Sequence, residues 1–296
     1  EQSVAFKAGY PAMREVMRHS PLGFASPILP GSAKACDPAE REQRLETAWT
    51  QSTFSMLEAF EDLLFDLESN ALATDFARRK LAQTITDPDK ARKLIPQEFP
   101  LGSRRLCAEI GFYDAINAEN VAVVDVREEP VVEITTDAVV TAQGSYPADV
   151  LVFATGFDAC VGAIKAIDIT GRGGQSISSE WAGGPRAYLG LSVAGFPNLF
   201  TITGPGSPSV LSNVVVSIEQ HVEWIAGCLA DMRERGQTVI EADPAAEQAW
   251  MEHVHEVAQM TVFPKANSWY QGRTADGRQV FMPYVGGVGA YRQKCA

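Results

Sequence analysis

A chain of 296 residues with a formal net charge of -12 repels phosphate backbones, which argues against a role in wrapping nucleic acid. Its length suits one large domain or two ordinary ones, and no apolar run approaches the ~20 residues that a membrane-spanning helix needs. The five cysteines, at 36, 107, 160, 228 and 295, are odd in number and lack CxxC spacing, which points to reduced thiols in the cytosol and offers no zinc site.

The first hundred residues read as mostly helical. Asp37-Pro38-Ala39-Glu40 makes a helix start, with Asp37 as N-cap, Pro38 at the first helical position and Glu40 placed to close a capping box. Beyond it Leu45, Trp49, Leu57, Phe60, Leu64 and Leu67 recur at spacings near three, four or their multiples, which predicts one apolar face. The acids beside them, Glu58, Glu61 and Asp62, are expected on the solvated side. Asp87-Pro88 starts another short helix that should end before Pro96.

From Asn120 the pattern turns to strands. VAVVDV (121–126) and VVEITT (131–136) read as two, and DAVVTAQGSYPADVLVFATG (137–156) as two more joined at Gln143-Gly144-Ser145. The apolar run in DVLVFATG (149–156) fits a strand covered on both faces, as in a parallel sheet. Gly156 lets the backbone turn at its carboxyl end, where open α/β sheets bind ligands. Residues 196–202 predict a further buried strand, which runs into Gly204-Pro205-Gly206-Ser207-Pro208. A long helix follows from about Asn213 to Arg235, its stop marked by Arg233, Arg235 and Gly236. Asp243-Pro244 caps another, reaching about Gln259. Residues 268–291 are glycine-rich and irregular, with one strand-like run at Val280-Phe281-Met282. The chain is of the α/β class.

A nucleotide-type ligand is implied, yet no GxGxxG follows a strand. Gly171-Arg172-Gly173-Gly174 has too few positions, Gly204-x-Gly206 lacks the third glycine, and Gly286-Gly287-Val288-Gly289 leaves no room for a βαβ unit. The phosphate cradle is expected on another polypeptide or on another part of this one. Metal chemistry finds no support either: His253 and His255 diverge by ~200° on a helix, and His19 and His221 are isolated and read as structural.

DVLVFATGFDA, NLFTITGPGSPSVLSNVVVSIEQHVEWI, FPKANSWYQG and VFMPYVGGVGAYR, taken together, resemble the carboxyl-terminal half of Baeyer–Villiger monooxygenases of the cyclohexanone and phenylacetone type. PLGSRRLCAEIGFYDAIN (100–117) resembles the segment that carries that family's catalytic arginine. The likeness covers nearly the whole chain and is weaker in the first ninety residues, where SPLGF and AFEDLL fit. It implies a partial two-dinucleotide-binding-domain flavoprotein. Residues 1–145 would hold a helical subdomain and the tail of the NADP-binding domain, and 146–296 the second half of the FAD-binding domain. Both GxGxxG motifs, the FxGxxxHxxxWP fingerprint and a catalytic aspartate would lie in an amino-terminal half or partner chain.

The implied reaction inserts one oxygen atom of O2 into a small ketone, giving an ester or lactone, with FAD and NADPH as cofactors. It needs a fixed cation beside the oxygenating centre, and arginine suits because it stays charged and offers several donors. Alignment on LxxEIxFY places Arg105 at the catalytic arginine and Arg104 at the residue that holds the NADP 2′-phosphate. From the pattern alone a solvated basic pair is the commoner reading, and only the aligned context reverses it. By the same likeness Gly204, Ser212, Asn213 and Val214 meet the flavin, with the helix amino terminus facing its electron-rich edge. Ser209, Val210, Leu211 and Met282 line the substrate pocket, and Trp269 packs over the nicotinamide. Without the family, the 204–213 stretch reads as readily as an ordinary strand-to-helix turn. An N- or S-oxygenating flavin monooxygenase, or a non-catalytic remnant, are the rival readings. The family usually has GANxPGK after the tryptophan, where this chain has Thr274 for Asn and Arg278 for Lys. That departure bears on the NADP contact.

Overall fold

The computed structural model describes residues 2–52, 54–158, 161–273 and 279–296. The amino-terminal part is helical: α1 (Gln2–Ala8), α2 (Tyr10–His19), α3 (Pro38–Gln51), α4 (Ser55–Glu58), α5 (Leu67–Thr84), α6 (Pro88–Leu94) and α7 (Phe112–Asn117). Asp37 caps α3 as its sequence predicts, its side chain accepting from the amides of Ala39 at 2.9 Å and Glu40 at 3.3 Å. Glu40 lies 4.0 Å from Arg44. Asp87 caps α6 in the same manner. Leu45, Phe60, Leu63 and Phe76 form the apolar core of this part.

Two expectations fail here. Leu67 is exposed, because it opens α5 after a loop has ended the earlier face. Of the three acids Glu61 is exposed as expected, but Glu58 is buried and Asp62 only partly exposed. Glu58 accepts from the Ser26 hydroxyl at 2.8 Å, and burial raises its pKa. Asp62 accepts from the Ala33 amide at 3.1 Å and from the Ser69 hydroxyl at 2.5 Å. Both carboxyls hold the loop between α2 and α3 against the helices behind it.

Strands β1 (Val131–Ile134), β2 (Ala138–Thr141) and β3 (Ser145–Pro147) form an antiparallel meander. The turn between β2 and β3 falls where Gln143-Gly144 predicts it. Neither 121–126 nor 149–156 forms a strand. Val150, Val152 and Phe153 are 79%, 79% and 70% exposed, and Phe157 is fully exposed. An apolar run becomes a buried strand only when neighbouring strands cover it, and the described residues supply none at that place. Nor do residues 196–202 form a continuous strand: Phe200 makes a single bridge to Ser192, while Phe196 and Thr201 are buried.

The carboxyl-terminal part has α8 (Gly162–Lys165), α9 (Ile177–Glu180), α10 (Val214–Glu234), α11 (Pro244–Gln259), the pair β4 (Gln271–Arg273) and β5 (Gln279–Phe281), and α12 (Val288–Cys295). Both long helices have their predicted bounds, capped by Asn213 and Asp243. Gly236, at φ 66°, ends the first. Helix α12 was not legible because its opening Gly-Gly-Val-Gly reads as loop. Those glycines serve close approach: a Cβ on Gly289 would lie 2.3 Å from the His19 carbonyl oxygen of α2. Glu223 of α10 pairs with Arg18 of α2 at 2.7 Å and with Arg292 of α12 at 2.9 Å. Among the described residues no helix is long and apolar enough to cross a membrane.

Candidate active site

Three distant stretches meet at one cleft. Pro21 and Leu22 come from the loop after α2, Phe54, Leu57 and Leu64 from around α4, and Pro208, Val210, Leu211 and Ser212 from the turn before α10. Arg104 and Arg105 lie on its wall, with Phe263, Tyr270 and Tyr284 completing it.

The 203–212 turn is rigid. The Gly206 amide donates to the Met282 carbonyl at 2.7 Å, and its φ of 86° suits only glycine. The Ser207 hydroxyl donates to the Gly204 carbonyl at 2.8 Å, and the Tyr284 amide to the Ser207 carbonyl at 2.8 Å. Gly204 leaves no space for a Cβ, which would sit 2.7 Å from the Gly190 carbonyl oxygen. Thr203 at φ 58° and Ser209 at φ 43° are left-handed although neither is glycine. Each such residue costs of the order of 1–3 kcal/mol and persists where its surroundings fix it. At the end of the turn the Asn213 side chain accepts from the Val215 amide at 3.2 Å, and its own amide donates to the Leu22 carbonyl at 2.9 Å.

Arg105 reaches this turn directly. Its Nη1 donates to the Val210 carbonyl oxygen, and its guanidinium lies over the Phe54 ring, 4.6 Å from the centroid. Arg104 stacks over Phe99 at 4.2 Å and donates through Nη2 to the Asn267 carbonyl at 2.8 Å. Among the described residues no carboxylate lies within ion-pair distance of either guanidinium, whereas most other arginines have one. Among the described residues the two guanidinium groups thus stand beside one cleft without a neighbouring carboxylate, in a protein of net charge -12. The Nε of Arg104 is buried without a hydrogen-bond partner in the structure, a donor that fits a phosphate oxygen.

The structure therefore brings Arg105 to Val210, Leu211 and Ser212, and Arg104 to the segment that carries Trp269. The indole is 44% exposed and packs on the Tyr270 ring at 4.6 Å, so one face is open to a ligand. Val214 and Val215, in the first turn of α10, are also exposed. Ser209 is buried, its carbonyl accepting from the Ser212 hydroxyl at 3.1 Å. Met282 does not line the cleft. It packs with Ile177, Trp181 and Phe196, because Phe281 beside it takes the opposite face, toward Phe263 and Tyr270. The Thr274 and Arg278 departure lies outside the described residues.

Sequence reasoning missed Phe54, Leu57, Tyr270 and Tyr284. The signal for Pro21 and Leu22 was the SPLGF phrase, which carried no role. His221, read as structural, is wholly buried and accepts at Nδ1 from the Thr203 amide at 3.1 Å. Desolvation lowers its pKa to about 4. Among the described residues no cluster of His, Cys, Asp and Glu could hold a metal ion.

No protein-family model matches the chain. It is 36% identical over 290 residues, 97% of its length, to a Baeyer-Villiger monooxygenase of Pseudooceanicola batsensis. It is 35% identical, over an alignment of 300 positions that covers its full length, to the 2-oxo-Delta(3)-4,5,5-trimethylcyclopentenylacetyl-CoA monooxygenase of Pseudomonas putida. The chain belongs to the Baeyer–Villiger monooxygenase family. It spans about half the length of the curated relatives it matches, 52% and 55% of these two. The family also has a neighbour of other chemistry here, the phenazine N-monooxygenase PhzNO1 of Lysobacter antibioticus, 38% identical over 89% of this chain and 49% of that protein. Among solved structures, a steroid monooxygenase bound to NADP superposes with a TM-score of 0.92 at 38% identity, over 99% of this chain and 56% of that one. A cyclohexanone monooxygenase from Rhodococcus sp. Phi1 bound to NADP+ gives 0.91 at 36%, over 98% and 55%. The fold is thus the α/β architecture of a two-dinucleotide-binding-domain flavoprotein, present here in part.

Proposed function

We propose that this chain is the carboxyl-terminal part of a Baeyer–Villiger monooxygenase that inserts one oxygen atom of O2 into a small ketone, giving an ester or lactone. NADPH is the electron donor and the second oxygen atom leaves as water. The observation that carries this reading is Arg105, an unpaired cation fixed at the cleft by the Val210 carbonyl and the Phe54 ring.

FAD would lie along the 204–214 turn and the amino terminus of α10, near Gly204, Ser212, Asn213 and Val214, and would supply two-electron reduction of O2. Arg104 would hold the 2′-phosphate of NADPH, to which its buried Nε fits, and Trp269 would cover the nicotinamide. Arg105 stabilises negative charge that develops on oxygen at the cleft, an interaction that strengthens in an apolar, water-poor setting. Arg105 is exposed in this chain, so the amino-terminal half would have to exclude water from it; Phe54, Leu57, Val210 and Leu211 would supply the apolar wall on this side and favour an apolar ketone, with Ser209 supporting that wall from behind.

An amino-terminal segment or partner chain bearing both glycine-rich loops completes the enzyme and covers the exposed run at 150–157. The division near residue 145 is best set after Pro147, which keeps β3 with β2. Reduced thiols suit a cytoplasmic protein: Cys36, Cys107, Cys228 and Cys295 are free. The test is Arg105→Ala in the chain joined to its amino-terminal half. Ester formation should collapse while NADPH consumption continues; an unchanged ester yield overturns the reading.

The phenazine N-monooxygenase relative favours a second reading, oxygenation of an aromatic nitrogen. Offering phenazine and cyclohexanone in parallel decides between them, since only one product class should form with NADPH consumption coupled to it.

A further inference from the structure

We propose that His221 is a positioning residue: its Nδ1, accepting from the Thr203 amide at 3.1 Å, locks the left-handed turn that sets the Val210 carbonyl and hence Arg105. The inference rests on the reading of Arg105 given above and adds a residue that touches neither substrate nor cofactor.

Thr203 is β-branched and sits at φ 58°, a conformation such residues rarely adopt without an external constraint. The turn that begins there carries a second strained residue, Ser209 at φ 43°, and delivers the carbonyl to which Arg105 donates. His221 lies on α10, the helix that this turn feeds, so one side chain ties the start of the turn to the element at its end. Its ring is wholly buried and meets Tyr291 edge-on at 5.6 Å. Burial keeps the ring neutral, and an accepting Nδ1 places the proton on Nε2. No charged group is needed; the lock is one acceptor at one place.

The test uses the chain joined to its amino-terminal half, with ester formed per NADPH consumed as the readout. His221→Asn offers an acceptor oxygen near the Nδ1 position, while His221→Leu keeps bulk without an acceptor. We expect His221→Leu to lower coupling about tenfold, since small misplacements of a catalytic group are costly, and His221→Asn to stay within about twofold. Adding Thr203→Gly to His221→Leu should restore coupling to within about threefold, because glycine holds the left-handed conformation unaided. Parent-like coupling in His221→Leu, equal losses in both single variants, or no recovery with glycine would each overturn the proposal. Arg105→Ala is measured alongside. If it couples normally while the His221 series behaves as expected, the reading of Arg105 fails and the lock stands. Should His221→Leu not fold, nitrogen NMR of the parent's histidine rings decides. An unprotonated Nδ1 coupled to the Thr203 amide supports the lock, and a protonated Nδ1 refutes it.

Discussion

The guanidinium of Arg105 donates to the carbonyl oxygen of Val210, a residue 105 positions further along the chain. One bond therefore fixes a cation from the helical part against the turn that feeds α10. Arg105→Lys should break both this bond and the stacking on Phe54, since an ammonium on a flexible stem reproduces neither. Ester formation should fall roughly 100-fold or more, the usual loss on removing one charge-stabilising donor. NADPH oxidation, followed at the same time, should change less than about threefold.

Arg104 is expected to read the phosphate of NADPH. Arg104→Ala should raise the KM for NADPH about 10- to 100-fold, the equivalent of one charge-assisted hydrogen-bond set. The KM for NADH should hardly move. Steady-state kinetics with both donors checks this, and equal losses for the two would remove Arg104 from phosphate binding.

The pH dependence of stability should show His221. Its ring falls from an ordinary 6.5 to about 4 because it is desolvated. Between those values the unfolded chain binds a proton that the folded chain refuses, so stability declines as pH drops from 6.5 to 4 and levels off below. The whole window amounts to about 3 kcal/mol. Thermal melts of the parent and His221→Asn across this range should converge as the pH falls, because the variant lacks this titration.

Gly289→Ala tests the contact between α2 and α12. The added methyl would lie 2.3 Å from the His19 carbonyl oxygen, and both sides of the clash are backbone. The helices must separate, at a cost of roughly 1–3 kcal/mol. Melting temperature should fall accordingly while the spectrum of bound flavin is kept.

Val152→Asp should leave the melting temperature of the isolated chain nearly unchanged, because Val152 is already 79% exposed. In the presence of the amino-terminal half the same change should abolish co-elution on gel filtration, as an unpaired charge would be buried. Normal assembly would show that the 150–157 run is not the covered face.

Local signals carried much of the architecture. Asp37, Asp87, Asn213 and Asp243 cap helices where side-chain chemistry says they should, since capping involves only residues two or three apart. The turn between β2 and β3 was legible for the same reason. What failed depends on distant partners. The runs at 121–126 and 149–156 announce a wish to be covered, which says nothing of whether the covering strands lie in this chain. Glu58 and Asp62 look like surface acids until Ser26, Ala33 and Ser69 are placed beside them. Family alignment pointed to Arg104 and Arg105, whose roles stay proposals, while Phe54 and Tyr284 gather at the same cleft only in three dimensions. That Met282 packs with Ile177 and Phe196 instead of facing this cleft was not legible, because a strand's two faces cannot be told apart from one apolar triplet.

The bare run from Val150 to Phe157 has a cost for any cell that makes it unprotected. Its backbone and its apolar side chains offer a template to the same run on a second molecule, and such pairing propagates. At cellular concentrations, wherever that run is left uncovered, the folded chain should self-associate or be taken up by holdase chaperones and proteases.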